Sequence, residues 1–295
     1  MFNKNTTEFS SGYFGKLPEF NDFIKFNAGS AEILFIDRWL QDGLAYARLK
    51  SKSEWKEKYE YLQPTCFFIP VPSSERIAAG MLYAGKDKSN REFPFLIFSL
   101  LSGKYFNELY LIPAELQQII FTLDELLRKE EDINSLNNAL KSYNIVFPEK
   151  ETLKNRFNQY LLNTHINEFL TRTNLNHSLL KVNNLMYSDS TFIRISFSSD
   201  DTHFSSDAGF LIYLVNKKIN LSCRHSSIFW SRINDEQFQI IIFPFKITAV
   251  NFVDLLSINC NDKRMINLNS LSEDSPEDDK FFETNSSLEK ILNFS

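Results

Sequence analysis

The chain has 295 residues, of which 29 are Phe but only 8 Gly, 3 Cys and 4 His, and 32 basic against 37 acidic side chains leave a net charge of −5. Scarce glycine argues against chemistry built on Gly-rich phosphate loops, whose backbone must approach an anion and reach positive φ, and neither a Walker-type nor a dinucleotide fingerprint is present. Cysteines at 66, 223 and 260 and histidines at 165, 177, 203 and 225 never fall at metal-ligand spacings, so neither a metal nor another cofactor is expected. In chain order, the first strong pattern covers residues 31–46, where Ile33, Leu34, Ile36, Trp39, Leu40 and Leu44, then Ala47, recur at helical spacings behind Ser30 as an available N-cap. Residues 66–71, 77–83 and 93–101 are short apolar runs punctuated by Pro, Ser and Gly, which predicts strands with little exposed face. From Pro113, suited to a first helical turn, Leu116, Ile119, Ile120, Leu123, Leu126 and Leu127 predict a second helix ending near Lys129 or Glu130. Residues 131–185 continue as polar, Asn-rich helical patterns with Leu153, Phe157, Tyr160, Leu161, Ile166, Phe169 and Leu170 as their apolar positions. The β-branched and aromatic runs 191–197, 210–215, 227–230 and 238–245 then read as strands, and 250–256 as a closing helix.

Strands, helices, strands and a helix in that order predict an α/β chain, a mixed sheet layered with helices as an αβα sandwich. The expected body is 1–260, with a motif region at 12–110 and a helical, then β-rich part at 111–260, either as one layered domain or as two lobes meeting near 110. Residues 261–295 read as an acidic, partly disordered tail, with 261–280 mobile. Near its end Asn285 or Ser286 can cap a helical turn carrying Leu288, Ile291 and Leu292, with Phe281, Phe282 and Phe294 nearby. That segment is expected to dock on its own body, since each buried apolar side chain gains about 1.5–3 kcal/mol wherever a groove exists. Residues 259–295 hold eight acidic and four basic side chains, so the body is close to neutral and offers no footprint for a phosphate backbone. Nucleic acid is not an expected partner. The longest nearly apolar stretch, 93–101, falls short of the ~20 residues that cross a bilayer, and the first residues lack the basic and apolar runs of a targeting signal. With an odd number of scattered cysteines suited to a reducing compartment, the chain is expected to be soluble and cytoplasmic, without an integral membrane segment.

The first hundred residues contain an ordered set of strings. Gly15-Lys16-Leu17-Pro18 is followed by Asn21-Asp22-Phe23, by Asp37-Arg38-Trp39-Leu40-Gln41 with Gly43, Leu44 and Arg48, by Trp55, Tyr59 and Gly80, and by Asn90-Arg91-Glu92-Phe93-Pro94-Phe95. That order and spacing resembles the TagF (ImpM) family of type VI secretion accessory proteins, whose N-terminal region reads GKLP, GDF, a W-D-x-W-L-Q helix, a Gly before a small turn, and D-R-x-G-R-x-F-P-L. The resemblance covers about residues 12–101, with a weaker echo at 226–231, where Ser-Ile-Phe-Trp-Ser carries Trp230. Asn21 and Asn90 stand where the family has Gly; because Asn tolerates the left-handed region best after Gly, both are expected at positive φ. Trp39 is expected in the core, and Pro18 and Pro94 at a turn and a strand entry. Gly15, Leu17, Phe23, Leu40 and Phe93 complete the structural motif. Lys16, Asp22, Asp37 and Arg91 are the candidate binding residues, since polar groups inside apolar strings either pair internally or present a site. Internal pairing is the favoured expectation, with Arg91 to Asp22 or Asp37 as the pair.

Catalytic signals are sparse. There is no G-x-S-x-G elbow, and the one suggestive cluster is Cys223-Arg224-His225-Ser226-Ser227. On an extended strand Cys223 and His225 share a face, but a turn or solvated face is the expected reading, and His165, His177 and His203 sit in polar, surface-like contexts. Adjacent carboxylates such as Asp200 with Asp201, or Glu130 with Glu131, point apart and form no acid/base dyad. No catalytic residue is assigned. The resemblance implies a non-enzymatic repressor of type VI secretion that acts after translation. It would bind machine components or the forkhead-associated scaffold, in connection with a threonine-phosphorylation pathway. The alternative is a structural adaptor that docks another protein through its C-terminal amphipathic segment or an exposed aromatic patch; a hydrolase centred on His225 is a third reading.

Overall fold

Strand β3 (Thr65–Pro70) reads Thr-Cys-Phe-Phe-Ile-Pro, with no polar face to offer water. Successive side chains alternate across a sheet, so Cys66 and Phe68 enter one core and Phe67 and Ile69 the other, all four buried. The computed structural model describes residues 9–52, 54–130, 132–176, 191–256, 264–267 and 286–289. Its other strands are β1 (Ser10–Gly15), β2 (Ile24–Phe26), β4 (Arg76–Tyr83), β5 (Phe95–Ser102), β6 (Phe192–Ser198), β7 (Ser227–Arg232), β8 (Gln237–Phe243) and β9 (Met265–Asn267). They form one sheet in the order β2-β1-β5-β4-β3-β7-β8-β6-β9, antiparallel throughout except where β9 runs parallel to β6. The strands of the first hundred residues join the later ones through the β3–β7 ladder, with Phe67 opposite Phe229 and Cys66 opposite Trp230.

The helices are α1 (Ala31–Ser51), α2 (Glu54–Glu60), α3 (Ile112–Lys129), α4 (Ile133–Ser142), α5 (Lys150–Asn163), α6 (Ile166–Thr173), α7 (Phe204–Ile219) and α8 (Ala249–Leu256). Helices α1 and α8, with Tyr59 of α2, cover the face that takes Phe67, Phe98 and Phe229, whereas α3 to α7 cover the face of Phe68, Ile97 and Ile240. The expected mixed αβα sandwich is thus the observed architecture. On α1, Ser30 caps as expected, accepting a hydrogen bond from the Ile33 amide at 3.4 Å. Trp39 is a core residue, 4% exposed, donating from Nε1 to the Thr248 carbonyl at 2.8 Å and meeting Phe252 edge-on. Gly43 permits that α1–α8 contact: a Cβ there would lie 2.4 Å from the Phe252 Cβ.

Two expectations are corrected. Residues 210–215 are not a strand but the middle of α7, and Phe204, Ala208, Leu211, Ile212 and Val215 are all buried there. A short apolar run bears no periodicity that separates a strand from a helix buried all round; what decides is length, because the helix runs on through Lys217 and Lys218 to a left-handed Asn220. Within 261–280, expected to be mobile, residues 265–267 are β9, held on the sheet by β6; the remainder of that stretch lies outside the described residues. Strands β1 and β2 and helix α2 arise from short, mixed segments that gave no periodic signal. Among the described residues no helix is long and apolar enough to cross a membrane.

Candidate functional site

The motif strings converge on one buried carboxylate, Asp87. Its side chain is fully buried; Oδ1 accepts from the Ser89 and Arg91 amides at 2.9 and 3.0 Å, and Oδ2 from Arg91 Nε at 2.7 Å and Lys16 Nζ at 2.9 Å. Those four donors fill the lone-pair sites a carboxylate has. Burial raises the carboxyl pKa, but the Arg91 amide, the Lys16 and Arg91 side chains and the Ser89 amide outweigh it and hold Asp87 well below the usual carboxylate range. Arg91 also reaches across to the Asn21 carbonyl at 2.8 Å, and the Lys88 amide donates to the Phe20 carbonyl at 2.9 Å, so the two strings are stitched together. Asn90 closes the turn at φ 57, as expected, with its amide on the Asp87 carbonyl. Asn21 does not share that conformation; the left-handed residue nearby is Asn27, at φ 52.

The apolar members of the strings pack around this knot. Gly15 sits at φ +130 with its α-carbon against the Pro94 carbonyl, where a Cβ would lie 2.1 Å away. Phe23 meets Phe93 edge-on at 5.3 Å and stacks near Phe14, and Tyr59 both donates to the Gly85 carbonyl and accepts from its amide. Leu40 is a core member and Leu17 packs half-buried against the core, Pro18 lies in the exposed turn bonded from Phe20 to Leu17, and Pro94 is buried directly ahead of β5. Of the four candidate binding residues, Lys16 and Arg91 meet at Asp87. Arg91 lies 3.7 Å from the exposed Asp22, and Asp37 is elsewhere, on α1, with no ion pair among the described residues. The expected Arg91–Asp37 pair is therefore absent and the Arg91–Asp22 pair peripheral, because Asp87 takes the better place four residues before the arginine.

A different surface holds an open hollow of about 640 Å³ between α3 and the β7–β8 hairpin. Trp230, assigned to the structural motif, forms part of its wall with Cys66, Met81 and Phe238. Phe121 stands 56% exposed at its lip. Elsewhere on α3, Glu115 is 4% exposed, with Oε2 unpartnered and Lys150 3.9 Å from Oε1. Burial, reinforced by Glu108 and only partly offset by Lys150, pushes its pKa up to about 7.

Residues 12–143 match the model of the TagF N-terminal domain, described as type VI secretion system-associated. Over that stretch the chain is similar to the TagF N-terminal domain. The match extends well past the strings near its start, through β5 and α3 to the end of α4. The matched stretch thus includes the whole Asp87 knot. Among solved structures, the crystal structure of PA0076 from Pseudomonas aeruginosa PAO1 has a similar fold, with a TM-score of 0.51 and 16% identity over 86% of this chain and 96% of that one. No curated protein matches the chain.

Outside the TagF match, the Cys223–His225 segment is a turn rather than a strand, and His225 is exposed. Burial raises the Cys223 thiol to about 12, with Glu115 adding to the shift, so the cluster holds no ready thiolate. His165 is exposed, His203 half-buried beside Asp200 at 2.9 Å, and His177 and Cys260 lie outside the described residues. The C-terminal segment docks on its own body as far as it is described: Leu288 is fully buried, its amide donates to Thr164, and the Ser286 carbonyl accepts from Ile166. Ile291, Leu292, Phe281, Phe282 and Phe294 lie outside the described residues. The residue that sequence reasoning passed over is Asp87, although it occupies the first position of the D-R-x-G-R-x-F-P-L string as Asp87-Lys88-Ser89-Asn90-Arg91.

Proposed function

We propose that the chain is a non-enzymatic type VI secretion accessory protein that restrains secretion after translation by occupying a component of the machine or its regulatory scaffold. The observation that supports this reading is the Asp87 knot. Lys16, Asp87 and Arg91 spend much of their hydrogen-bonding capacity on one another, which favours a shaped surface over a reactive group. Of the four candidate binding residues, Asp22 and Arg91 are the ones whose side chains remain more than half exposed, and they are available to a partner. The forkhead-associated scaffold in the cytoplasm is the partner the family suggests. Occupancy represses only through a difference in affinity between scaffold states: moving a balance from 1:99 to 99:1 requires about 10⁴-fold tighter binding to one of them.

Deleting the gene in a strain with an active apparatus should raise secretion of the tube protein, and overproduction should suppress it. Purified chain should also retain the forkhead-associated scaffold in a pulldown. If neither deletion nor overproduction alters secretion, repression is refuted.

A further inference from the structure

The hollow beside α3 deepens the proposed binding role and rests on it. Its walls are apolar, built from Cys66, Met81, Ile120, Trp230 and Phe238, and its volume of about 640 Å³ falls in the range of roughly 300–1,000 Å³ typical of ligand sites. Phe121, 56% exposed, divides it from a second hollow of about 500 Å³ on the other side of α3, so an aromatic ring stands in water between two concave surfaces. Exposed apolar surface arranged around a cavity marks an interaction site. The mouth carries Asp201, Arg232 and Asp235. Arg232 is committed: it is bonded to Asp201 and its guanidinium lies 5.0 Å from the centre of the Phe238 ring. Asp235, exposed on the hairpin, has no ion pair among the described residues and leaves the mouth with one uncompensated negative charge.

We propose that this hollow receives a short segment of a partner protein in which a bulky apolar side chain stands next to Lys or Arg. The apolar side chain fills the space between Trp230 and Phe121, and the cation meets Asp235. The shape supplies the anchor and the charge sets its orientation, because a rim charge of this kind tunes encounter and register more than total affinity.

The test uses the full chain and a phage-displayed library of random peptides panned against it. Enriched peptides should share an aromatic or branched aliphatic residue adjacent to a basic one. A fluorescent copy of the best peptide should bind about tenfold or more weakly to Phe121→Ala. It should bind several-fold more weakly to Asp235→Lys, with that second loss shrinking as salt rises. Both side chains are exposed, so melting temperatures should stay at the wild-type value; if Phe121→Ala fails to fold, the hairpin variant carries the decision. Equal affinity for wild type and both variants, enrichment without a basic residue, or no enrichment overturns the assignment. In cells, overproduced Phe121→Ala that silences secretion as fully as wild type also overturns it while leaving repression intact. If wild type itself silences nothing, repression falls and the peptide measurements still decide whether the hollow binds.

Discussion

Replacing Glu115 by Gln should widen the stability gap between variant and wild type as pH rises. Glu115 lies in the first turn of α3, 4% exposed, with one carboxyl oxygen unpartnered and the Lys150 ammonium 3.9 Å from the other. Burial is the main cause of a pKa raised from 4.5 to about 7. Between those values the folded chain keeps a proton that the unfolded chain has released. The carboxyl's contribution is therefore full below about pH 4.5, declines through the interval and is lost above about 7. At 1.36 kcal/mol per pH unit the interval amounts to roughly 3 kcal/mol, of which roughly 2–3 kcal/mol falls between pH 5 and pH 8. Gln keeps the shape and cannot ionise, so the melting temperature of Glu115→Gln relative to wild type should rise by roughly 3–5 °C between those two pH values. Differential scanning calorimetry of both proteins at pH 5, 6, 7 and 8 measures it directly. A gap that stays constant across the series refutes the reasoning, because it would mean that Glu115 is ionised in the folded chain throughout.

Asn90→Val should destabilise by about 1–2 kcal/mol in urea melts, the cost of a left-handed residue without Asn or Gly, while Asn90→Gly should stay near wild type; equal effects would remove the turn argument. Asp87→Ala should speed amide exchange at Ser89 and Arg91, whose N–H groups it frees, and lower the melting temperature. The wild type should lose the same stabilisation as pH falls below the ordinary value of 3.8, since the folded carboxyl is held lower. Leu288→Ala should cost about 2–5 kcal/mol if the C-terminal segment is part of the body, whereas a free docking peptide would leave urea stability unchanged. Truncation after residue 260 should likewise lower stability, yet retain partner binding by the body.

What was legible in the sequence follows from how many residues repeat a signal. The helix of Trp39 and Leu40, the helix after Pro113 and the strand entered at Pro94 were readable because burial of one or both faces imposes a period over many positions. Strands β1 and β2 were not, since Ser10–Gly15 mixes Ser, Gly, Tyr and Phe, and its burial is dictated by β5 alongside it, a long-range fact. Strand β9 escaped for the same reason: three residues in an acidic stretch are ordered by β6 and by Arg264 bonding to the buried Asp254, neither of which is local. In the motif region the charged residues could be recognised as paired, but not their centre. Choosing Asp87 over Asp22 or Asp37 requires knowing that its side chain points inward from a turn, which only the Asp-Lys-Ser-Asn spelling hinted at. Phe121 falls off the Leu116–Ile119–Ile120–Leu123 stripe, so spacing could place it outside the core, but the hollows on either side of it are made by residues distant in sequence.

Glycine scarcity takes on a different meaning in three dimensions. Left-handed turns are still needed, and among the described non-glycine residues at positive φ they fall largely to Asn, at Asn27, Asn90, Asn174 and Asn220. Two of these end helices α6 and α7, and one closes the turn that delivers the Ser89 and Arg91 amides to Asp87. Apart from Gly29, which has open space around it, glycine stands where there is no room for a Cβ, as at Gly15 beneath Pro94 and Gly43 beneath Phe252. The TagF strings therefore describe a scaffold: Lys16, Asp87 and Arg91 satisfy one another, the aromatic residues are packed, and Gly15 and Gly43 are points of closest approach. Under the proposed binding role, specificity falls to residues that the scaffold leaves unconstrained. Phe121 and Asp235 have that character, exposed at the edge of a deep apolar hollow and contributing nothing to the fold that would explain their chemistry.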